Sequence, residues 1–207
     1  PDSSAGPSKI ATPGSINSPV VTSAPQGAPA NQTTATSIAV TPKEGDTFEE
    51  GTCNLKFKVI SVPVNDDPGT VSCIGMINTN VKSLEIPDEI TFAGKQFKVT
   101  RIGNAAFFKN TNISKVILGS YLTKIGNRSF CCCRNISGIV IPGNVRFIGK
   151  QAFANCSRLK RVVIKTRLLK KRTIGKNAFK NIYKKATVRY PKSKRRVYKR
   201  IFKKAGF

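Results

Sequence analysis

The sequence predicts an α/β repeat solenoid in which short parallel strands stack coil upon coil, and two observations support this prediction. A six-residue motif that begins Ile-Gly and ends in Phe recurs at residues 102–107, 125–130, 148–153 and 174–179, at intervals of 23, 23 and 26 residues. Short aliphatic runs recur in step with it, and their last interval is also 26 residues. Because two independent motifs share one period, we infer that each period is one coil.

A ladder of phenylalanines is expected to run through the core of this solenoid. Adjacent strands lie about 4.8 Å apart, so stacked coils place equivalent side chains above one another. The residues expected in the aromatic ladder are Phe107, Phe130, Phe153 and Phe179, and those in a parallel aliphatic ladder are Ile102, Ile125, Ile148 and Ile174. The glycine after each of these isoleucines is expected to adopt a backbone conformation that residues with a Cβ atom avoid.

The N-terminal part of the chain divides into two predicted segments. Residues 1–46 are rich in Ser, Thr, Pro and Ala and contain no aromatic residue. They are predicted to form a disordered linker, because they offer little apolar surface to offset the chain entropy. Residues 47–80 have strand-like runs on both sides of the turn-rich segment 63–69, which predicts an N-terminal β-hairpin cap. A second short hairpin is expected at residues 90–99.

The remainder is predicted to consist of repeats and a closing helix. Residues 81–191 are expected to hold about four to five coils, the last of them stretched by three residues near 167–173. Residues 192–207 are expected to form a C-terminal capping helix, with Ser193 as its N-cap and Gly206 just beyond its C-terminus. The face predicted to cover the last coil consists of Val197, Tyr198, Ile201, Phe202 and Ala205.

Residues 136–156 carry a resemblance to a known repeat. Their sequence, ISGIVIPGNVRFIGKQAFANC, follows the pattern L-x-x-I-x-I-P-x-x-V-x-x-I-G-x-x-A-F-x-x-C of the BspA-like leucine-rich repeats, with Ile in place of the first Leu. The resemblance covers about residues 80–207, with Ser129 replacing one Ala and with Asn110 and Ile182 replacing Cys. It implies a right-handed leucine-rich-repeat coil in a secreted or surface-displayed domain, similar to bacterial surface proteins that bind host molecules.

Charge is distributed unevenly along the chain. The 36 Lys and Arg residues outnumber the 10 Asp and Glu residues, giving a formal net charge of +26. All ten acidic residues but only five basic ones precede residue 90, so residues 90–207 carry 31 cations and no carboxylate side chain. The chain also has no His, and a site without imidazole or carboxylate lacks the usual general bases and most metal ligands. We therefore expect no catalytic site, no cofactor and no bound metal.

The six cysteines leave their redox state open. Cys133 and Cys156 each follow a repeat phenylalanine by three positions, so they should stack in adjacent coils, either as buried thiols or as a disulfide. The run 131–133 contains three consecutive cysteines, but the chain has no C-x-x-C pair, which argues against a zinc site. A bridge between Cys53 and Cys73 in the cap is a further alternative.

The candidate binding surface is the solvent side of the strands. Period-two alternation directs the first and third residues of each strand inward and the middle residue outward. An outward apolar row flanked by positive charge is a candidate ligand surface, although β-branched residues also occur in solvated strands because of their strand propensity. The candidate ligand-binding residues are Lys115, Ile117, Val140, Arg161, Val163 and Arg189.

These features together predict a non-enzymatic recognition or adhesion module located outside the cell or at the cell surface. The expected partner is a host or cell-surface protein or an anionic polysaccharide. One alternative is a structural spacer domain of a larger surface protein. Another is an electrostatic binder of polyanions, suggested by seven positive charges within residues 160–172; nucleic acid is the weaker version, because no nucleic-acid motif accompanies the charge. No apolar run is long enough to span a membrane, and we expect a monomeric domain of a larger protein.

Overall fold

A computed structural model describes residues 41–207. Residues 1–40 of the predicted linker lie outside the described residues. Gly45 and Asp46 already pair with Val59 through backbone hydrogen bonds of 3.0 and 2.8 Å, so the last residues assigned to the linker belong to the folded part. The strands and the helix are β1 (Thr47–Glu50), β2 (Leu55–Ser61), β3 (Gly69–Met76), β4 (Ser83–Glu85), β5 (Glu89–Phe92), β6 (Lys95–Ile102), β7 (Lys115–Ile117), β8 (Lys124–Ile125), β9 (Gly138–Ile141), β10 (Phe147–Ile148), β11 (Arg161–Ile164), β12 (Thr187–Arg189) and α1 (Arg195–Lys204).

The N-terminal strands form an antiparallel unit that continues into the coils. β1 pairs with β2, and β2 pairs with β3 across the turn-rich segment. β3 then pairs in parallel with β6, which forms the second expected hairpin with β5. The N-terminal strands and the first coil therefore share one sheet, and the open edge of the first coil is covered by hydrogen-bonded strands.

The coils place parallel strands along two sides of one core, where the sequence predicts a single strand per coil. The predicted aliphatic runs form the parallel ladders β4–β7 and β9–β11–β12. The Ile-Gly segments, which the sequence predicts as parts of turns, extend the sheet of the N-terminal strands in the order β6–β8–β10. They are extended because each stacks on its equivalent, with Ile102 paired to Ile125 and Ile125 paired to Ile148.

The predicted phenylalanine ladder is confirmed. The rings of Phe107, Phe130, Phe153 and Phe179 have successive centroid separations of 5.0, 5.2 and 5.2 Å and interplanar angles of 20°, 4° and 11°. All four side chains are buried. Phe202 of α1 adds a fifth ring, 5.4 Å from that of Phe179, so the helix continues the core of the coils.

The repeat glycines do not adopt the special backbone conformation that the sequence analysis expected, so that prediction is wrong. None of Gly103, Gly126, Gly149 and Gly175 has a positive φ. At Gly126, Gly149 and Gly175 the backbone instead approaches the preceding coil too closely for a side chain. For example, a Cβ atom on Gly149 would lie 2.4 Å from the backbone nitrogen of Asn127. Glycine is present because two backbones meet there.

The left-handed backbone conformations lie elsewhere in each turn. They fall two residues after each repeat glycine and two residues after each repeat phenylalanine. The residues are Ala105, Arg128, Gln151 and Asn177, and Lys109, Cys132, Asn155 and Asn181, with φ between 52° and 66°. Between these points, backbone amides of the turn donate hydrogen bonds to carbonyls of the next coil. Examples are Phe130 N to Ala152 O at 2.8 Å and Phe153 N to Ala178 O at 2.7 Å. Since none of the eight is Gly and only three are Asn, the residue types that tolerate this conformation best, the stacking imposes the turn geometry.

The C-terminal helix closes the last coil. Phe179 N donates to Ala205 O at 3.0 Å, so the end of α1 supplies the acceptor that a further coil would otherwise supply. Tyr198 and Phe202 are fully buried against the coil. Gly206 follows the helix with a φ of 101°, which confirms its predicted place at the helix end.

Two details of the predicted helix are wrong. Ser193 is not the N-cap, because residues Lys192–Lys194 form a 3-10 turn and α1 begins at Arg195 without a side-chain cap. Val197 does not cover the last coil, because its side chain is 53% exposed and borders an open cavity beside the helix.

We expect Phe153→Ala to lower the free energy of unfolding by about 3–5 kcal/mol, because it removes a fully buried ring from the middle of the ladder. Chemical denaturation of purified variants measures this. Phe108→Ala is the matched control, since Phe108 is 41% exposed and should change stability by no more than about 0.5 kcal/mol. An unfolding midpoint of Phe153→Ala equal to that of the wild type would show that the ladder contributes little.

Gly149→Ala is expected to cost about 1–3 kcal/mol, because the added methyl group forces two backbones apart. Gly143→Ala serves as the control, because a Cβ atom on Gly143 meets nothing within 4 Å. Thermal unfolding of both variants tests the steric argument. Equal stability of the two variants would contradict it.

Candidate functional site

The predicted outward residues lie in two adjacent rows on the strand ladders, which together we call the strand face. In β11 and its neighbours, Val163 lies between Val140 and Arg189, while Arg161 lies beside Gly138. The apolar row runs through Ile117, Val140 and Val163, with the charged residues Glu85 and Arg189 at its two ends. The flank row consists of Ser83, Lys115, Gly138, Arg161 and Thr187. The two ladders are linked at their entrances, where Ser137 N donates to Ser114 O at 3.4 Å.

Burial along these strands follows the predicted alternation. Ile117 and Val140 are 40% and 42% exposed, and Val163 is half-buried. The residues before them, Val116 and Ile139, are buried in the core. The structure thus confirms the orientation of the strand face, whereas its role in binding stays a prediction.

The cations of the strand face have no salt-bridge partner within residues 41–207. Lys115, Arg161 and Arg189 are all exposed. The single salt bridge in the described part joins Lys56 Nζ to Glu49 Oε1 at 2.6 Å, in the N-terminal strands. Because residues 90–207 carry no carboxylate side chain, no acidic side chain on β7, β9, β11 or β12 opposes the positive field of the strand face.

Two further features adjoin the strand face. The parallel pairing of β4 with β7 sets Glu85 next to Ile117, so the apolar row begins with an anion and ends with the cation Arg189. At the entrance to β11, Lys160 Nζ lies 5.3 Å from the ring centroid of Tyr183, and this ring is 38% exposed. The common spacing of the aliphatic runs aligns Glu85 and Arg189 with this row, whereas the contact between Lys160 and Tyr183 is seen only in the tertiary structure.

The stacked cysteines are free thiols that serve the core. The Cys133 thiol donates to Phe107 O at 3.0 Å, and the Cys156 thiol donates to Phe130 O at 3.1 Å. Each thiol thereby binds a turn carbonyl of the preceding coil. Burial raises the pKa of Cys133 to about 12 and also raises the pKa of Cys156, so neither thiol is an activated nucleophile. Cys53 and Cys73 are also free.

The described residues offer neither a metal site of the common kind nor a membrane-spanning helix. Residues 41–207 contain no cluster of three or more His, Cys, Asp or Glu side chains arranged to hold a metal ion. Across the same residues, no helix combines the length and the apolar content needed to cross a membrane.

Comparison with known proteins identifies the repeats. The parallel strands, the stacked phenylalanines and the closing helix define a leucine-rich-repeat solenoid. Residues 76–206 match the family described as BspA type leucine rich repeat region, in six copies. The chain belongs to this family, and the predicted fold class is confirmed. Proteins of the family are commonly surface proteins, and the fold is typically non-enzymatic and mediates protein interactions.

Solved structures with TM-scores above 0.5 show the same fold. A leucine-rich repeat protein from Bacteroides capillosus is 25% identical with a TM-score of 0.54, covering 69% of this chain and 96% of its own. Another from Bacteroides ovatus is 26% identical with a TM-score of 0.51, covering 64% of this chain and 35% of its own. The pneumococcal vaccine antigen PcpA is 22% identical with a TM-score of 0.47, covering 71% and 46%. This chain thus spans less than half of the last two proteins. No curated protein sequence matches it.

At pH 8 we expect iodoacetamide to modify Cys133 in the folded chain at least about tenfold more slowly than in the chain unfolded in urea. The reagent requires the thiolate, and burial keeps this thiol protonated at that pH. Peptide mass spectrometry after timed quenching measures the rates, and the half-buried Cys132 provides an internal comparison. Similar labelling rates for Cys133 in both states would contradict the proposed packing.

Proposed function

We propose that this chain is a non-enzymatic recognition module, displayed outside the cell or at the cell surface, that binds a protein or an anionic polysaccharide through its strand face. The observation that supports the proposal most directly is the pair of exposed aliphatic residues, Ile117 and Val140, flanked by unpaired cations. Membership of a family that is commonly found at surfaces supports the location.

The strand face is rigid, and this favours binding. Its side chains project from parallel strands whose opposite faces are locked into the core. A rigid surface loses little conformational entropy on association, so more of the contact energy contributes to affinity. The apolar row provides apolar contact area, while the cations of the flank row steer and orient an anionic partner.

A purely electrostatic polyanion binder is the second candidate, because the cations of the repeats are unpaired within residues 41–207. The two functions differ in their dependence on position. Nonspecific attraction follows total charge, so any lysine or arginine contributes about equally. A shaped site depends mainly on the cations that border the apolar row.

The test compares two charge reversals of the same size. Arg161 lies in the flank row, whereas Lys199 lies on α1, and both are exposed. We expect Arg161→Glu to weaken binding about tenfold, which corresponds to about 1.4 kcal/mol, and Lys199→Glu to weaken it by less than about twofold. The probes are heparin fragments and immobilised extracellular-matrix proteins, with surface plasmon resonance at two salt concentrations.

A third variant, Val140→Asp, tests the apolar row. Val140 is exposed, so the substitution should leave the fold intact and should reduce binding further than its charge alone predicts. Equal losses from Arg161→Glu and Lys199→Glu, with none from Val140→Asp, would establish nonspecific electrostatics. No binding to any probe would leave the spacer function as the better description.

A further inference from the structure

A cavity of about 450 Å³ lies between α1 and the segment that stretches the last coil. Leu169, Val197 and Ile201 provide its apolar wall. Five cationic side chains line the same cavity, among them Lys171, Arg200 and Lys204. None of the residues that line it belongs to the strand face, so the cavity is a separate feature of the molecule.

The three-residue insertion of the last coil builds one wall of this cavity. Residues 165–173 leave the regular turn, and Lys171–Thr173 form a 3-10 turn. The segment is held at two points: Thr166 Oγ1 donates to Val145 O at 2.7 Å, and Leu169 N donates to the Tyr198 hydroxyl at 3.1 Å. The second bond ties the insertion to α1, so the cavity is bounded by two elements that hydrogen-bond to each other.

The side chain of Val197 marks this cavity as an open apolar surface. The helical pattern places it on the core side of α1, yet it is 53% exposed. Ile201, one turn later, is 9% exposed. Between them the helix presents apolar surface that neither the coil nor the insertion covers.

Charge and size together specify the occupant. Ligand cavities for small molecules measure about 300–1,000 Å³ and combine apolar walls with a few polar groups that fix orientation. Here every charged side chain in the lining is positive, and residues 90–207 contain no carboxylate side chain to oppose an anion. Guanidinium and ammonium groups bind carboxylate, sulfonate or phosphate oxygens through charge-assisted hydrogen bonds.

We propose that this cavity binds a small amphiphilic anion, with a short alkyl chain or a single ring against Leu169, Val197 and Ile201 and its anionic end against the surrounding cations. This site goes beyond the function proposed for the strand face and does not depend on it. The chemistry requires both halves of the ligand, because the apolar wall alone does not select charge and the cations alone do not select an apolar body.

Isothermal titration calorimetry with three probes of graded chemistry tests the proposal. Decanoate carries both halves, acetate carries only the anion, and decyltrimethylammonium carries the alkyl chain with the opposite charge. We expect saturable one-to-one binding of decanoate below its micellar concentration and at least about tenfold weaker binding of the other two. Absence of saturable decanoate binding, or equal binding of the cationic probe, would overturn the proposal.

Two variants locate the site. Arg200→Glu and Arg196→Glu make the same charge change at exposed positions one turn apart on α1, but only Arg200 lines the cavity. Val197→Trp fills the cavity from an exposed position. We expect Arg200→Glu and Val197→Trp to abolish decanoate binding while Arg196→Glu retains it, with all three variants keeping the wild-type circular dichroism spectrum. Equal losses from the two arginine variants, or full binding by Val197→Trp, would overturn the assignment to this cavity.

Discussion

The close approach of successive coils at the Ile-Gly segments is the constraint on which the other features of the structure depend. At Gly149 and Gly175 the backbones of adjacent coils lie so near each other that a single methyl group has no room. This approach brings the phenylalanine rings into contact at about one strand spacing and aligns the turn amides of one coil with the carbonyls of the next. The strand pairing, the aromatic ladder and the turn hydrogen bonds therefore share one geometric requirement.

Such a stack has two open ends, and each end is closed by a different element. At the N-terminal end, β3 pairs with β6, so a strand of the preceding unit occupies the edge of the first coil. At the C-terminal end, α1 places Phe202 beyond Phe179 and offers Ala205 O to the last ladder amide. Both closures repeat the contacts that one coil makes with another. A side chain packs against the core of the end coil, and a backbone hydrogen bond joins the closing element to that coil. Repeat proteins need this protection because each repeat buries its apolar face only against a neighbour.

The surface chemistry follows from where the coils permit variation. Core positions of the repeat are occupied by Phe, Ile and Cys, so charge is confined to the outward positions of strands and turns. In residues 90–207 those positions carry Lys and Arg with no acidic counterpart. The strand face and the cavity beside α1 are two of the places where this positive surface borders exposed aliphatic side chains. They differ in shape, since one is an extended row and the other is a concave site, and so they suit partners of different size.

How far the sequence predicts this protein is seen best in the repeat turn. The period of 23 residues, the buried phenylalanines and the outward direction of Ile117 and Val140 all follow from the sequence, because a repeated pattern must place equivalent residues in equivalent environments. The same reasoning located the closing helix and its C-terminal glycine. It also placed Cys133 and Cys156 in adjacent coils, although their hydrogen bonds to phenylalanine carbonyls are seen only in the tertiary structure.

Other features depended on distances between segments far apart in the chain. The role of Gly149, the second strand of each coil and the contact between Lys160 and Tyr183 depend on how segments far apart in the chain meet, and no local pattern encodes them. Val197 shows the same limit, because its helical position predicts burial while the inserted segment leaves an open cavity beside it. The sequence by itself determined the repeat, its core and its charge, since these depend on residue type and spacing. Only the tertiary structure decided the second strand of each coil, the close contact at Gly149 and the shape of the cavity, since these depend on how closely backbones approach.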